Sequence, residues 1–203
     1  VATGQEMYGA EAASGRDEDN AYGYDDKTMV IQTIMDSGGT DMIDASRVSR
    51  NSVIDLTPGS FSSIGIYSRA DQLADIEAAA GATIKNNVST FMSTLDGNAA
   101  TGDAIYTGED NVAIAASTII ENAYGGDGDD TITGNHVNNT IIGGQGDDTI
   151  DGGDGDGDVV RYSGFRSDYT ISTSGGTTTV TDNNTSDGVD DGTDTITNVE
   201  YFV

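Results

Sequence analysis

Asp130 and Asp148 stand eighteen residues apart, each at the sixth place of a nine-residue stretch, GGDGDDTIT at 125–133 and GGQGDDTID at 143–151. In the pattern G-G-x-G-x-D-x-U-x, with U a large aliphatic residue, two nine-residue half-turns make one turn of a coil. Both carboxylates then stack on the same side in successive turns. One carboxylate per turn, with backbone carbonyls from the glycine corners, supplies the six to eight hard oxygens that Ca²⁺ takes at about 2.3–2.6 Å. Glycine lets those carbonyls point inward from conformations closed to other residues. On this frame the donors are Gly126, Gly128 and Asp130 in one turn and Gly143, Gln145 and Asp148 in the next. Asn135, Asn139 and Asp158 fall in the looser copies between and after them. Zinc would ask for His or Cys, and the chain has His136 alone and no Cys. Magnesium holds its waters and suits a carbonyl-rich cage poorly. No G-K-[ST] follows the glycines, so no phosphate loop is present, and residues 151–158 lack the Gly and distal Glu of an EF-hand. Paired carboxylates also serve glycosidases, but here they are taken up as ligands.

The elements that hold these donors must repeat with them. Ile114, Ala123, Ile132, Ile141, Ile150 and Val159 recur at a constant period of nine, which predicts a β-solenoid burying one side chain per rung. The copy GNHVNNTII (134–142) has Asn139 at the acidic place, and GGDGDGDVV (152–160) has Gly157 there with Asp158 one later. The coil is therefore short, fraying at both ends. Upstream, residues 28–35 and 52–56 are β-branched runs expected as strands. Between 69 and 95, Leu73, Ile76, Ala80, Ile84, Val88, Phe91 and Leu95 step by three and four, predicting a helical insertion weakest at Gly81. Its apolar stripe is expected to pack on the roll, the other use being a partner-docking face. Downstream, residues 167–183 read as a hairpin around Gly175–Gly176, followed by an acidic loop (185–194) and a last strand (195–203). Asp182, Asp190, Asp191 and Asp194 either hold a further ion or form a solvated acidic loop.

Composition agrees with the chemistry. The formal charge is −27, from 35 acidic residues against eight Lys and Arg. That excludes nucleic acid, whose phosphates need cations, and it makes a compact state self-repelling unless cations are bound. Eighteen Ile against three Leu favour ordered β structure over disorder. Without Cys there are no disulfides, and no apolar run reaches membrane-spanning length. The chain opens on Val1 and is expected to be a mature fragment or a piece of something longer.

The nonapeptides resemble the RTX calcium-binding β-roll, and the upstream segments resemble the C-terminal domain of serralysin-type secreted metallopeptidases. The likeness is carried by VATGQEMYGA (1–10), TIMDSGGTDMIDAS (33–46), VIDLTPGSFSSIG (53–65) and DNVAIAASTIIENAYGG (110–126), and it spans about residues 1–160. It implies a calcium-binding Asp-x-Gly-Gly-x-Asp turn at Asp36, Gly38, Gly39 and Asp41. It implies further oxygens from Glu121 and from a loop holding Arg16, Glu18 and Asn20. Glu18 replaces a usual Gly and Ile119 a usual Thr. The peptidase's H-E-x-x-H helix is absent from these residues. Two parts are expected: a β-roll over 1–160, with its nonapeptide core at 114–160, and an appended hairpin module over 161–203.

These readings give a mainly β, parallel β-roll that is noncatalytic, binds several Ca²⁺ ions and is secreted. By resemblance it leaves the cell through a type I apparatus and serves a covalently linked N-terminal enzyme, a zinc metalloendopeptidase. Two rivals remain open at this stage. One is a polysaccharide-binding module using Tyr and Asp of 161–203; the other is a surface-layer or adhesive domain in which calcium bridges copies. No membrane insertion is expected. The terminal EYFV (200–203) reads either as a closing strand or as part of an export signal.

Overall fold

A computed structural model describes residues 17–86, 89, 107–184 and 188–203. The chain divides into two units, Val1–Gly65 with Asp110–Val203, and Ile66–Glu109.

The first unit is mainly β and its repeats wind as a parallel coil. Strands β7 (Asn122–Gly126), β8 (Thr131–Asn135), β9 (Thr140–Gly144), β10 (Thr149–Gly153) and β11 (Val159–Val160) fall on two sheets in alternation. One sheet runs β1 (Ala21–Asp25), β3 (Met42–Arg47), β7, β9, β11, β15 (Tyr201–Phe202). The other runs β12 (Tyr169–Ser174), β13 (Thr177–Asp182), β14 (Thr193–Thr197), β10, β8, β4 (Val53–Asp55). A third, smaller sheet orders β2 (Gln32–Ile34), β6 (Val112–Ile114) and β5 (Phe61–Ser62). Alternate copies pair in register: Ile132 with Ile150 and with Ile54 on one sheet, Ala123 with Ile141 and with Ile43 on the other. Side chains alternate in and out along a strand, so the second residue of β3, β4 and each of β7 to β11 points to the core. Those residues, with Ile196, form one buried cluster. Each buried Ile or Val stabilises the roll by about 1.5–3 kcal/mol over its exposed state.

The nine-residue ladder holds from Ile114 to Ile150 and then slips. Val159 is only half-buried; Val160 is fully buried and pairs with Ile141. The copy at 152–160 has one extra residue before its strand, which moves the acidic place from 157 to Asp158 and the rung from 159 to 160. Asn139 confirms the shift, its N–H donating to Asp158 Oδ1 at 2.7 Å. The expected strand over 195–203 is also broken. Asn198, at φ +53, turns the chain from β14 on one sheet to β15 on the other. Asn is one of the few residues that enter this left-handed region at small cost.

The hairpin lies where the sequence puts it: β12 and β13 pair antiparallel across Gly175 and Gly176, at φ +63 and +87. β13 pairs in turn with β14, which lies parallel to β10. The strands of 161–203 thus continue both sheets of the coil.

In the second unit, helix α1 (Arg69–Ala80) starts at Ser68, whose hydroxyl accepts the Asp71 N–H at 3.2 Å, and stops at Gly81, φ +84. Helical residues resume at 82–86. The expected burial of the stripe is not found in α1. None of its residues is buried, because Asp, Glu and Ala leave only Leu73 and Ile76 as a narrow, half-covered apolar face. Val88, Phe91 and Leu95 lie outside the described residues. No described helix is long and apolar enough to cross a membrane.

Candidate metal centre

The coil places a polar residue two positions before each of Ile43, Ile54, Ile132, Ile141, Ile150, Val160 and Ile196, at the corner where a loop enters its strand, and it is Asp at all but Ser52 and Asn139. On the β4–β8–β10–β14 edge these corners are joined by a relay of hydrogen bonds. Ser52 N–H donates to Asp130 Oδ1 (2.6 Å), Asp130 N–H to Asp148 Oδ1 (2.8 Å), and Asp148 N–H to Asp194 Oδ1 (2.9 Å). One oxygen of each carboxylate is thereby fixed. The other oxygen of Asp130 and of Asp148 is buried and meets no hydrogen-bond donor. At Asp194 the Tyr162 hydroxyl fills that place at 2.6 Å.

The glycine corners leave room at those open oxygens. A Cβ on Gly125 would fall 2.3 Å from Asp130 Oδ2 and 2.4 Å from the Gly143 carbonyl, and a Cβ on Gly143 would fall 2.0 Å from Asp148 Oδ2. Carbonyls and carboxylates therefore converge where a side chain is missing. Burial without a counter-charge pushes the carboxyls up, Asp130 to about 7 and Asp148 to about 8, with neighbouring Asp charges adding to the rise. Asp194 is pushed to about 7, again chiefly by burial.

The β1–β3–β7–β9–β11–β15 edge carries a second relay. Asn20 N–H donates to Asp41 Oδ1 (2.9 Å), Asp41 N–H to Glu121 Oε2 (2.7 Å), Asn139 N–H to Asp158 Oδ1, and Asp158 N–H to Glu200 Oε2 (2.8 Å). Asp41 Oδ2 and Asp158 Oδ2 are buried without a donor. Both carboxyls are raised, by burial first and then by Asp36 and Glu121 for Asp41 and by Glu200 for Asp158. Asn139 has no open oxygen, since its Oδ1 accepts the Asn135 N–H at 2.8 Å and its Nδ2 donates to the Glu121 carbonyl at 2.9 Å.

Most of the ligands read from sequence gather at these corners. Around Asp41 lie Glu18, through its carbonyl, with Asn20, Asp36, Gly39 and Glu121. Asn20 Nδ2 donates to the Glu18 carbonyl and, at 3.3 Å, to Asp36 Oδ2, and a Cβ on Gly39 would meet the Glu18 carbonyl at 2.4 Å. Asp36 is already well used: Oδ1 accepts from Ser37 (2.7 Å) and Gly38 (3.1 Å) N–H groups, and Oδ2 from the Tyr22 hydroxyl at 2.5 Å. Gly126 offers its carbonyl to the Gln145 N–H at 2.8 Å, and the Gly128 carbonyl faces Gly146. The side chain of Gln145 lies apart from the corner, bonded to Asp127 at 2.6 Å. Asn135 is buried and its amide is spent on the Leu56 and Ile120 carbonyls (3.2 and 2.7 Å) and the Val137 N–H (3.0 Å). Arg16 lies outside the described residues.

Sequence reasoning missed Ser52, Tyr162 and Glu200 and left Asp194 open. The signal for Asp194 was present, since GTDTIT at 192–197 matches GDDTID at 146–151. Among the described residues no three His, Cys, Asp or Glu side chains converge on one point. A cation here must be held by one or two carboxylates and several carbonyls, an all-oxygen set that fits Ca²⁺.

The family model for the peptidase M10 serralysin C terminal matches residues 1–107. Serralysin G of Dickeya chrysanthemi is 40% identical over 86 residues, which are 42% of this chain and 17% of that protein. The match thus spans 17% of the length of this curated relative, and the nonapeptides lie beyond the family match.

Proposed function

The chain belongs to the serralysin C-terminal family of M10 peptidases, and from that premise we propose that it is a calcium-folded β-roll module of a secreted bacterial protein. The observation that carries this reading is the set of four buried carboxylate oxygens, on Asp41, Asp130, Asp148 and Asp158, that meet no donor. A buried charge left unpaired costs several kcal/mol, so a fold that keeps four of them along its two edges asks for a counter-charge.

In this reading those four oxygens face the metal, and the carbonyls of Gly126, Gly128 and Gly143 complete the shells. Asp36, Gly38, Gly39, Glu18, Asn20 and Glu121 serve the corner at Asp41. Bound calcium supplies the positive charge that the relays lack. The relays do the rest: at Asp41, Asp130, Asp148 and Asp158 they fix one carboxylate oxygen and leave its partner free. Without metal the stacked carboxylates repel and the chain is unfolded, which suits export through a narrow type I conduit. Outside the cell, binding free energy becomes folding free energy.

The parent's activity belongs to the same proposal. The module is noncatalytic and stabilises or aids the export of an N-terminal zinc metalloendopeptidase. Residues 161–203 are an appended piece whose last strands lengthen the roll of 1–160. Circular dichroism of the isolated chain tests the core of the reading. Calcium is expected to raise the β signal cooperatively, excess chelator to abolish it, and equal magnesium to leave it low. A chain equally folded in chelator at neutral pH defeats it.

A further inference from the structure

The coil outlasts its glycine repeats by one turn, and its two edges finish differently. On one edge Asp194 succeeds Asp148, and the Tyr162 hydroxyl closes its second oxygen. On the other edge nothing closes Asp158. That residue is 0% exposed, yet its Oδ2 has no hydrogen-bond partner.

The surroundings of that oxygen repeat those of Asp130. A Cβ on Gly152 would fall 2.9 Å from Asp158 Oδ2 and 2.0 Å from the Asn198 carbonyl, as one on Gly125 falls beside Asp130 Oδ2 and the Gly143 carbonyl. The carbonyl reaches this place because Asn198 takes φ +53, a conformation shared among described non-glycine residues only with Asp110. Its side chain holds the turn, Nδ2 donating to Asp151 Oδ1 at 2.7 Å. Glu200 adds a carboxylate, with Oε2 on the Asp158 N–H. The equivalent corner one turn earlier, at Gly134, has the neutral and satisfied Asn139 instead.

We infer that the Asn198 carbonyl and the Glu200 carboxylate complete the calcium site at Asp158 Oδ2, so that its ion binds the last turn, 192–203, to the roll, and that Asp194 holds no ion. Asn198 and Glu200 lie outside the glycine repeats and outside the family match. The inference rests on the calcium reading above.

Counting bound calcium on the whole chain, by titration calorimetry with equilibrium dialysis, tests it. Asp158→Asn keeps the acceptor for the Asn139 N–H and removes the charge; it is expected to bind one ion fewer than the parent chain. Asp194→Asn is expected to bind the same number. Glu200→Gln keeps the acceptor for the Asp158 N–H and is expected to weaken one site about tenfold. An unchanged count in Asp158→Asn, or the loss of an ion in Asp194→Asn, overturns the inference. Should Asp158→Asn fail to fold, unaltered affinities in Glu200→Gln overturn it instead. A parent chain that binds no calcium sinks the wider reading, a result distinct from a parent that binds while its variants do not differ.

Discussion

Asp148 accepts the backbone N–H of Asp130, eighteen residues back, at 2.8 Å, while its other oxygen is buried with no donor in reach. One half of the carboxylate belongs to the fold and the other half is left open. Substitutions can separate the two roles. Asp148→Asn keeps the acceptor and removes the charge, so it is expected to stabilise the metal-free chain and to raise the calcium concentration needed for folding. Asp148→Ala also strands the Asp130 N–H, a loss of about 1–3 kcal/mol. Chemical denaturation with and without calcium reads both effects.

The metal-free roll should prefer acid. Asp130, Asp148 and Asp194 have carboxyls raised from 3.8 to about 7, 8 and 7 in the fold. The folded chain therefore holds protons that the unfolded chain releases. That stability is fully present below about pH 4 and is lost as pH rises through 7 and 8. In chelator, β structure measured by circular dichroism is expected near pH 5 and not near pH 8.5. With calcium the upper limit should vanish.

Glycine matters where turns touch. A Cβ on Gly144, at φ +115, would sit 1.8 Å from the Gly126 carbonyl, whereas one on Gly175, at φ +63, meets nothing within 4 Å. Gly144→Ala is expected to prevent the coil from stacking. Gly175→Ala should cost only the left-handed strain of about 1 kcal/mol. Thermal melts in saturating calcium distinguish them.

The end of the chain is expected to behave as a strand. Val160 pairs with Phe202, and the Val203 carbonyl accepts the Tyr162 N–H at 2.8 Å. Deleting 201–203 uncovers Val160 and should lower the melting temperature of the roll. An unchanged melt together with reduced secretion in a host would return these residues to an export signal.

With zinc present the isolated chain is expected to leave casein intact. Chelator-sensitive cleavage by pure protein would overturn its noncatalytic assignment.

The central rungs were legible because Ile132, Ile141 and Ile150 keep one period and one corner chemistry. The slip to Val160 was marked only by Asp158 standing one place late, since an extra residue within a Gly–Asp loop leaves no mark on an apolar pattern. Ile43, Ile54 and Ile196 belong to the same stack, but loops of unequal length separate them from the repeats and remove the period. The relay through Asp41, Glu121 and Asp158 was only half visible. Asp41 and Glu121 were expected from resemblance and Asp158 from the last repeat copy, while the hydrogen bonds that fix one oxygen apiece arise from strand register. The helix at 69–80 was legible from its spacing, but its burial was not, because spacing alone does not say whether Leu73 and Ile76 find a surface.

The chain leaves the coil after Val160, builds a whole hairpin, and returns with Asp194, 46 residues after Asp148, in perfect step, Thr149 beside Thr195 and Ile150 beside Ile196. Position along the stack is thus written in each short corner-and-strand cassette and not in the spacing between cassettes. Such a scaffold accepts cargo between rungs. A foreign loop or small domain spliced in place of 169–182 need only bring its two ends back together for the next cassette to find its place.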